Sequence, residues 1–136
     1  MIVADANLIA DLLLGGREAK VAETVLELDA IWTAPVLWRS EFRSILAAYM
    51  RQRDLSISDA WRAHELAERL FVGREFSIGG EVVLRLVADS RCSAYDCEYV
   101  ALAQDLAAPL VTRDRQVLRE FPAVAVTPKR FIADNA

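Results

Sequence analysis

The 136-residue chain has the size of one compact domain, and none of its apolar runs approaches the roughly 20 residues of a membrane span. At 54% hydrophobic and 26% charged it has material for a real core and is not a disordered chain. A net charge of −4 argues by itself against a nucleic-acid-binding surface, although 14 of the 16 basic residues are Arg, either because Arg suits bidentate phosphate contacts or because the genome is GC-rich.

Ile2–Ala4 is a short apolar run and reads as a buried strand, with Asp5 directly after it. The start, Met1-Ile2-Val3-Ala4-Asp5, lacks the basic leader of a signal peptide. A helix is expected over Ala6–Leu14, ended by Gly15-Gly16, and a second over Arg17–Leu28. Ile31–Ala34 reads as the second strand. Pro35 suits the first position of a helix in which Trp38, Phe42, Ile45 and Tyr49 form one apolar stripe.

Ser56 and Asp59 form a plausible capping pair for a helix running to Phe71. Glu75–Ile78 reads as a brief strand broken by Gly79-Gly80, and Glu81–Asp89 as a helix. Ser93 caps a helix to Ala107; Leu110–Thr112 is a strand, Asp114–Glu120 a short helix and Ala123–Val126 a last strand. Short apolar strands alternating with helices predict a three-layer α/β/α sandwich around a mainly parallel sheet of four to five strands, one domain over residues 1–136.

Such sheets bind ligands beyond the carboxyl ends of their strands. Asp5 and Asp114 lie at two such ends, while Glu41 and Asp96 border the apolar faces of their helices. Glu41 falls about 60° around the helix from Trp38. Converging carboxylates repel unless a cation compensates. With one histidine and no zinc-type spacing, the ion expected is Mg²⁺ or Mn²⁺, which prefer oxygen ligands.

Each acid also has a plain structural reading. Asp96 with Ser93 makes a capping box, Asp114 caps the helix after it, Asp5 holds a turn, and Glu41 pairs with a neighbouring Arg. Cys92 and Cys97 make no disulfide framework and suggest a reduced, cytoplasmic protein. His64, mid-helix among charged residues, is expected to be solvated or partly packed. Arg39, Arg43, Arg113 and Arg115 flank the acids and suit either RNA phosphates or surface acids. The tryptophans Trp32, Trp38 and Trp61 are expected in the core or at a dimer interface.

Four segments resemble the PIN-domain family, in particular its VapC toxin branch. They are Ile2-Val3-Ala4-Asp5-Ala6-Asn7, the Glu-bearing helix Leu37 to Leu46, the helix Ser93 to Ala103 with its Tyr95-Asp96-Cys97-Glu98-Tyr99 core, and Leu110-Val111-Thr112-Arg113-Asp114. The resemblance implies that Asp5, Glu41, Asp96 and Asp114 are the metal-site and catalytic acids, with Asn7 and Thr112 as supporting polar groups. It also implies hydrolysis of single-stranded RNA by metal-activated water, leaving 5′-phosphate and 3′-hydroxyl ends. A homodimer and an antitoxin whose Arg-bearing tail blocks the acidic pocket follow from the same resemblance. The chain departs from the pattern at Ser44, where VapC-like sequences often carry Asn, and at Cys97, where Ala is usual.

Other readings are weaker. A response-regulator receiver would need a phosphoacceptor Asp after a central strand, where residues 44 to 53 read as helix, and a Lys better placed than Lys129. A PIN nuclease that processes RNA without an antitoxin, and a non-catalytic PIN scaffold, share the same fold.

Overall fold

Each apolar run read as a strand is one in the computed structural model, which describes residues 1–136. The strands β1 (Ile2–Ala4), β2 (Trp32–Pro35), β3 (Glu75–Phe76), β4 (Leu110–Val111) and β5 (Ala125–Val126) form one parallel sheet in the order β3-β2-β1-β4-β5. The strands lack polar alternation because helices cover both faces. On β1, Ile2 and Ala4 enter one hydrophobic cluster and Val3 the other. The first cluster lies under α1 (Ala6–Leu14), α2 (Ala19–Leu28), α3 (Trp38–Gln52), α4 (Ile57–Leu70) and α8 (Pro128–Asn135). The second lies under α5 (Gly80–Ala88), α6 (Ala94–Leu106) and α7 (Arg115–Glu120). The expected three-layer sandwich is therefore the observed one.

From β1 the chain adds β2 and β3 on one side, then returns to add β4 and β5 on the other. The strand order reverses between β1 and β4, and a crevice opens beyond their carboxyl ends. The paired residues Val3↔Leu110 and Ala4↔Val111 fix the register there. Helix starts around the crevice are set by side-chain caps. Asp5 accepts from the Leu8 N–H, Ser93 from Asp96 and Asp114 from Val117. Each such cap is worth about 1 kcal/mol.

Two expectations change. Pro35 closes β2 instead of opening α3, which starts at Trp38. The flanking N–H groups of Ala34 and Val36 donate to β3, so the N–H that Pro35 lacks would point toward β1, past its last residue. The strand therefore loses no bond to the proline. Helix α8 was not expected at all; Thr127 caps it and Pro128 occupies its first turn. The other boundaries differ by a residue or two, as helix and strand ends do.

The core is most aromatic where α3 meets α4. Trp38, Phe42 and Phe71 are fully buried, and the Trp38 and Phe71 rings lie 5.0 Å apart. Cys92 and Cys97 are buried free thiols, and burial pushes the Cys92 thiol up to about 11. No helix is long and apolar enough to cross a membrane. Phe71→Ala leaves a cavity against Trp38 and is expected to cost about 3–5 kcal/mol in urea unfolding. A loss under about 1 kcal/mol would mean that this corner does not hold the two helices together.

Candidate functional site

The four acids approach from four elements. Asp5 leaves the end of β1, Glu41 projects from the first turn of α3, Asp96 from the first turn of α6, and Asp114 precedes α7. Together with Asn7, Tyr99 and Thr112 they line one small cleft of about 60 Å³ over the β1–β4 crevice. All six residues singled out in the sequence therefore line a single cavity. Acids from both helical layers meet there, because α3 and α6 lie on opposite faces of the sheet.

The plain structural readings hold for three of the acids as well. Asp5 gives Oδ1 to the Leu8 N–H at 2.9 Å, and Asp114 gives Oδ1 to the Val117 N–H at 3.0 Å. Asp96 sits in the turn capped by Ser93, donating its own N–H to that hydroxyl at 3.0 Å. A carboxylate has two oxygens, so capping with Oδ1 leaves Oδ2 for other work. Glu41 makes no ion pair with a neighbouring Arg, the role its sequence had left open.

Thr112 joins two of these groups. Its hydroxyl donates to Asp5 Oδ2 at 2.5 Å and accepts the Asp114 N–H at 3.0 Å. Burial of the hydroxyl, at 2% exposure, keeps water from replacing either bond.

Electrostatics mark the cleft as strained. Burial pushes the Asp5 carboxyl up to about 6, against the opposing hydrogen bonds from Thr112 and the Leu8 N–H. Burial also raises Glu41, and the charges of Asp96 and Glu98 add to it. Asp96 is raised by burial and by the charge of Asp114. Tyr99, which the sequence reading passed over as a functional group, is buried with a hydroxyl that completes no hydrogen bond. Burial, then the Glu41 charge and a contact with Glu41 of hydrogen-bonding kind, keep this phenol strongly protonated, although the geometry of that contact falls outside that of a formed hydrogen bond. Helical spacing could have found it, because Asp96 and Tyr99 are three residues apart on one face of α6.

The donor set is four carboxylates without His or Cys, which suits Mg²⁺ or Mn²⁺ and not Zn²⁺. The orphan phenol beside Glu41 is a further sign of an incomplete polar site. No three of the acids stand close enough together to chelate an ion as they are placed. The chemistry of the donors fits a divalent ion.

Other candidates fall elsewhere. Arg39 binds Glu75 at 2.7 Å and Glu68 at 3.1 Å, and Arg43 donates to His64 Nε2 at 3.2 Å. Both arginines face α4 and β3, away from the cleft. His64 is neither solvated nor partly packed: it is 5% exposed, stacked near Trp38 and Trp61, with Nδ1 2.9 Å from Glu68. Its charged neighbours in sequence lie on the other side of α4 or bond to it, and spacing did not reveal that. Trp32 and Trp38 are core residues, whereas Trp61 is 57% exposed. A larger groove of about 580 Å³ beside β5 and α8 holds no convergent acids.

A family model described as "PIN domain" matches residues 2–124. Among proteins of known name, the chain is 30% identical to Ribonuclease VapC3 of Pyrobaculum aerophilum over 140 aligned residues, covering 93% of this chain and 98% of that one. Among solved structures it resembles FitAcB from Neisseria gonorrhoeae, with a TM-score of 0.73, 18% identity, and 95% and 99% of the two chains covered. It also resembles a chain of a toxin–antitoxin complex from Klebsiella pneumoniae, with a TM-score of 0.69, 18% identity, and 94% and 98% covered.

Two outcomes follow for the protein in metal-free solution. A carboxyl raised in the folded state disfavours folding once it ionises, so the Asp5 penalty is absent below about pH 4 and complete above about pH 6. Asp5→Asn is therefore expected to gain melting temperature over the wild type as pH rises from 4.5 to 7 in EDTA, and a constant difference would refute the burial of that charge. Tyr99→Phe deletes an unsatisfied donor and is expected to leave chemical stability unchanged or raise it by about 1 kcal/mol. A clear drop would show that the phenol already has a partner.

Proposed function

From its membership of the PIN-domain family, to which this chain belongs, we propose that the protein is a Mg²⁺- or Mn²⁺-dependent endoribonuclease, the toxin half of a VapBC-type toxin–antitoxin module. The observation that carries the reading is the convergence of Asp5, Glu41, Asp96 and Asp114 on one cleft. The name of its relative, a ribonuclease, supports the activity, and the Klebsiella neighbour, a toxin–antitoxin complex, supports the kind of partner. The catalytic unit is a single PIN-like domain over residues 1–136.

In this reading the four acids hold the divalent ion, with Asn7 and Thr112 as supporting polar groups. The ion, when bound, supplies a polarised water as nucleophile and offsets charge on the phosphate under attack. The chain's own contribution is placement. Thr112 and the Leu8 N–H fix both oxygens of Asp5, so this carboxylate cannot swing away from the cleft. The Asp114 side chain is fixed by its cap and its backbone by Thr112. Tyr99 offers a neutral donor to whatever oxygen lies beside Glu41. Attack at phosphorus then breaks the bond to the 3′ oxygen, leaving a 5′-phosphate and a 3′-hydroxyl.

The same reading includes an antitoxin Arg that enters the cleft, where carboxylates accept a guanidinium bidentately. It includes a homodimer, for which exposed Trp61, Val82 and Leu84 offer apolar surface, and a reduced, cytoplasmic setting that suits the free thiols.

Purified protein free of antitoxin is expected to cleave RNA with Mg²⁺ or Mn²⁺ and not with excess EDTA. Asp96→Asn is expected to lower the rate by more than the roughly 10–100-fold typical of outer-shell changes at metal sites. Cleavage that persists in EDTA, or a fully active variant, would overturn the metal reading.

A further inference from the structure

An RNA strand and this cleft repel each other. The chain carries a net charge of −4, and four carboxylates line the cavity in which a phosphate would react. Compensating the reacting phosphate does not attract the rest of the strand. That attraction has to come from cations beside the cleft.

A groove of about 290 Å³ runs between the start of α2, the β4–α7 loop and the start of α8. Arg113, Arg115 and Lys129 line it, and Glu18 is its one acid. Arg113 is the chain neighbour of both Thr112 and Asp114, which line the acidic cleft, so cleft and groove adjoin through this residue. Arg113 pairs with Asp11 at 2.6 Å. Arg115 and Lys129 are exposed and make no ion pair within the chain. Lys129 is one of only two lysines in the sequence, and it stands here. Two successive helices, α7 and α8, thus bring free positive charge to one groove at the edge of a negative cleft.

We infer that this groove is a phosphate subsite for the RNA strand, in which Arg115 and Lys129 hold backbone phosphates next to the one that enters the acidic cleft. Arg113, held by Asp11, stands at the junction. Contacts of this kind read charge and not sequence, so the groove sets affinity and direction and leaves base choice to other surfaces. The inference rests on the nuclease reading, but not on which RNA is cut. Each cation that neutralises a phosphate on a single strand contributes about 0.7 to the slope of log affinity against log salt.

The test is equilibrium binding of a random-sequence 20-nucleotide RNA pool from 50 to 200 mM salt. Asp96→Asn is the background, so that the pool stays intact. Adding R115A and K129A together is expected to weaken binding roughly tenfold or more near 0.1 M salt and to reduce the slope by about 1.4. R62A with R85A removes the same charge from exposed positions on α4 and α5 and is expected to leave both quantities unchanged. Unchanged binding in R115A/K129A overturns the groove, and so does an equal loss in R62A/R85A, which would mean general charge alone. Thermal melts confirm that each variant folds. A wild type that binds with the groove's slope yet cleaves nothing keeps the groove and removes the nuclease. One that cleaves while ignoring both substitutions does the reverse.

Discussion

One buried hydroxyl couples the two halves of the acidic cleft. Thr112 donates to Asp5 and accepts from the backbone of Asp114, tying the end of β1 to the segment after β4. The bond to Asp5 depends on the parallel pairing of these two strands, whereas the bond from Asp114 is local to the turn after β4. A shift of one residue would turn Thr112 to the opposite face of the sheet and separate the acids. The core holds that register, since Val3 and Leu110 belong to one hydrophobic cluster and Ala4 and Val111 to the other. Packing fixes the strands, the strands fix the hydroxyl, and the hydroxyl fixes the first acid.

The acids serve the fold and the site at once. Asp5 and Asp114 each start a helix with one oxygen while lining the cleft, and Asp5 holds its second oxygen against the Thr112 hydroxyl. Local stability thus holds functional groups in place without further scaffolding. The opposite effect comes from crowding. Desolvated carboxylates facing each other work against folding, as the raised Asp5, Glu41 and Asp96 show. Sites that tolerate such opposition do so because function requires it.

Much of this was legible in the chain. An apolar run followed by Asp marks a strand end, and the caps Ser93 and Asp114 mark helix starts, so local signals put Asp5, Asp96 and Asp114 at the ends of their elements; Glu41 lay only at the edge of an apolar stripe, and the resemblance to the PIN family joined the four into one site. What stayed hidden was set by contacts distant in sequence. Pro35 reads as a helix start because nothing local says that β3 takes the neighbouring N–H groups. The place of His64 follows from Arg43 and the aromatic rings around it, which the order of residues does not display. Helix α8 has a clear start at Thr127-Pro128 but a short, polar pattern that resembles a tail. Tyr99 lies within a recognised motif, yet its missing partner exists only in three dimensions.

The bond between Thr112 and Asp5 spans 107 residues. Ribosomes add about 5–20 residues per second, so several seconds of translation separate the first acid from the last. During that interval the nascent chain holds Asp5, Glu41 and then Asp96 with no β4 to gather them. The cell therefore never meets a nascent chain with a complete cleft before β4 is made, because only β4 brings Thr112 and Asp114 to the end of β1.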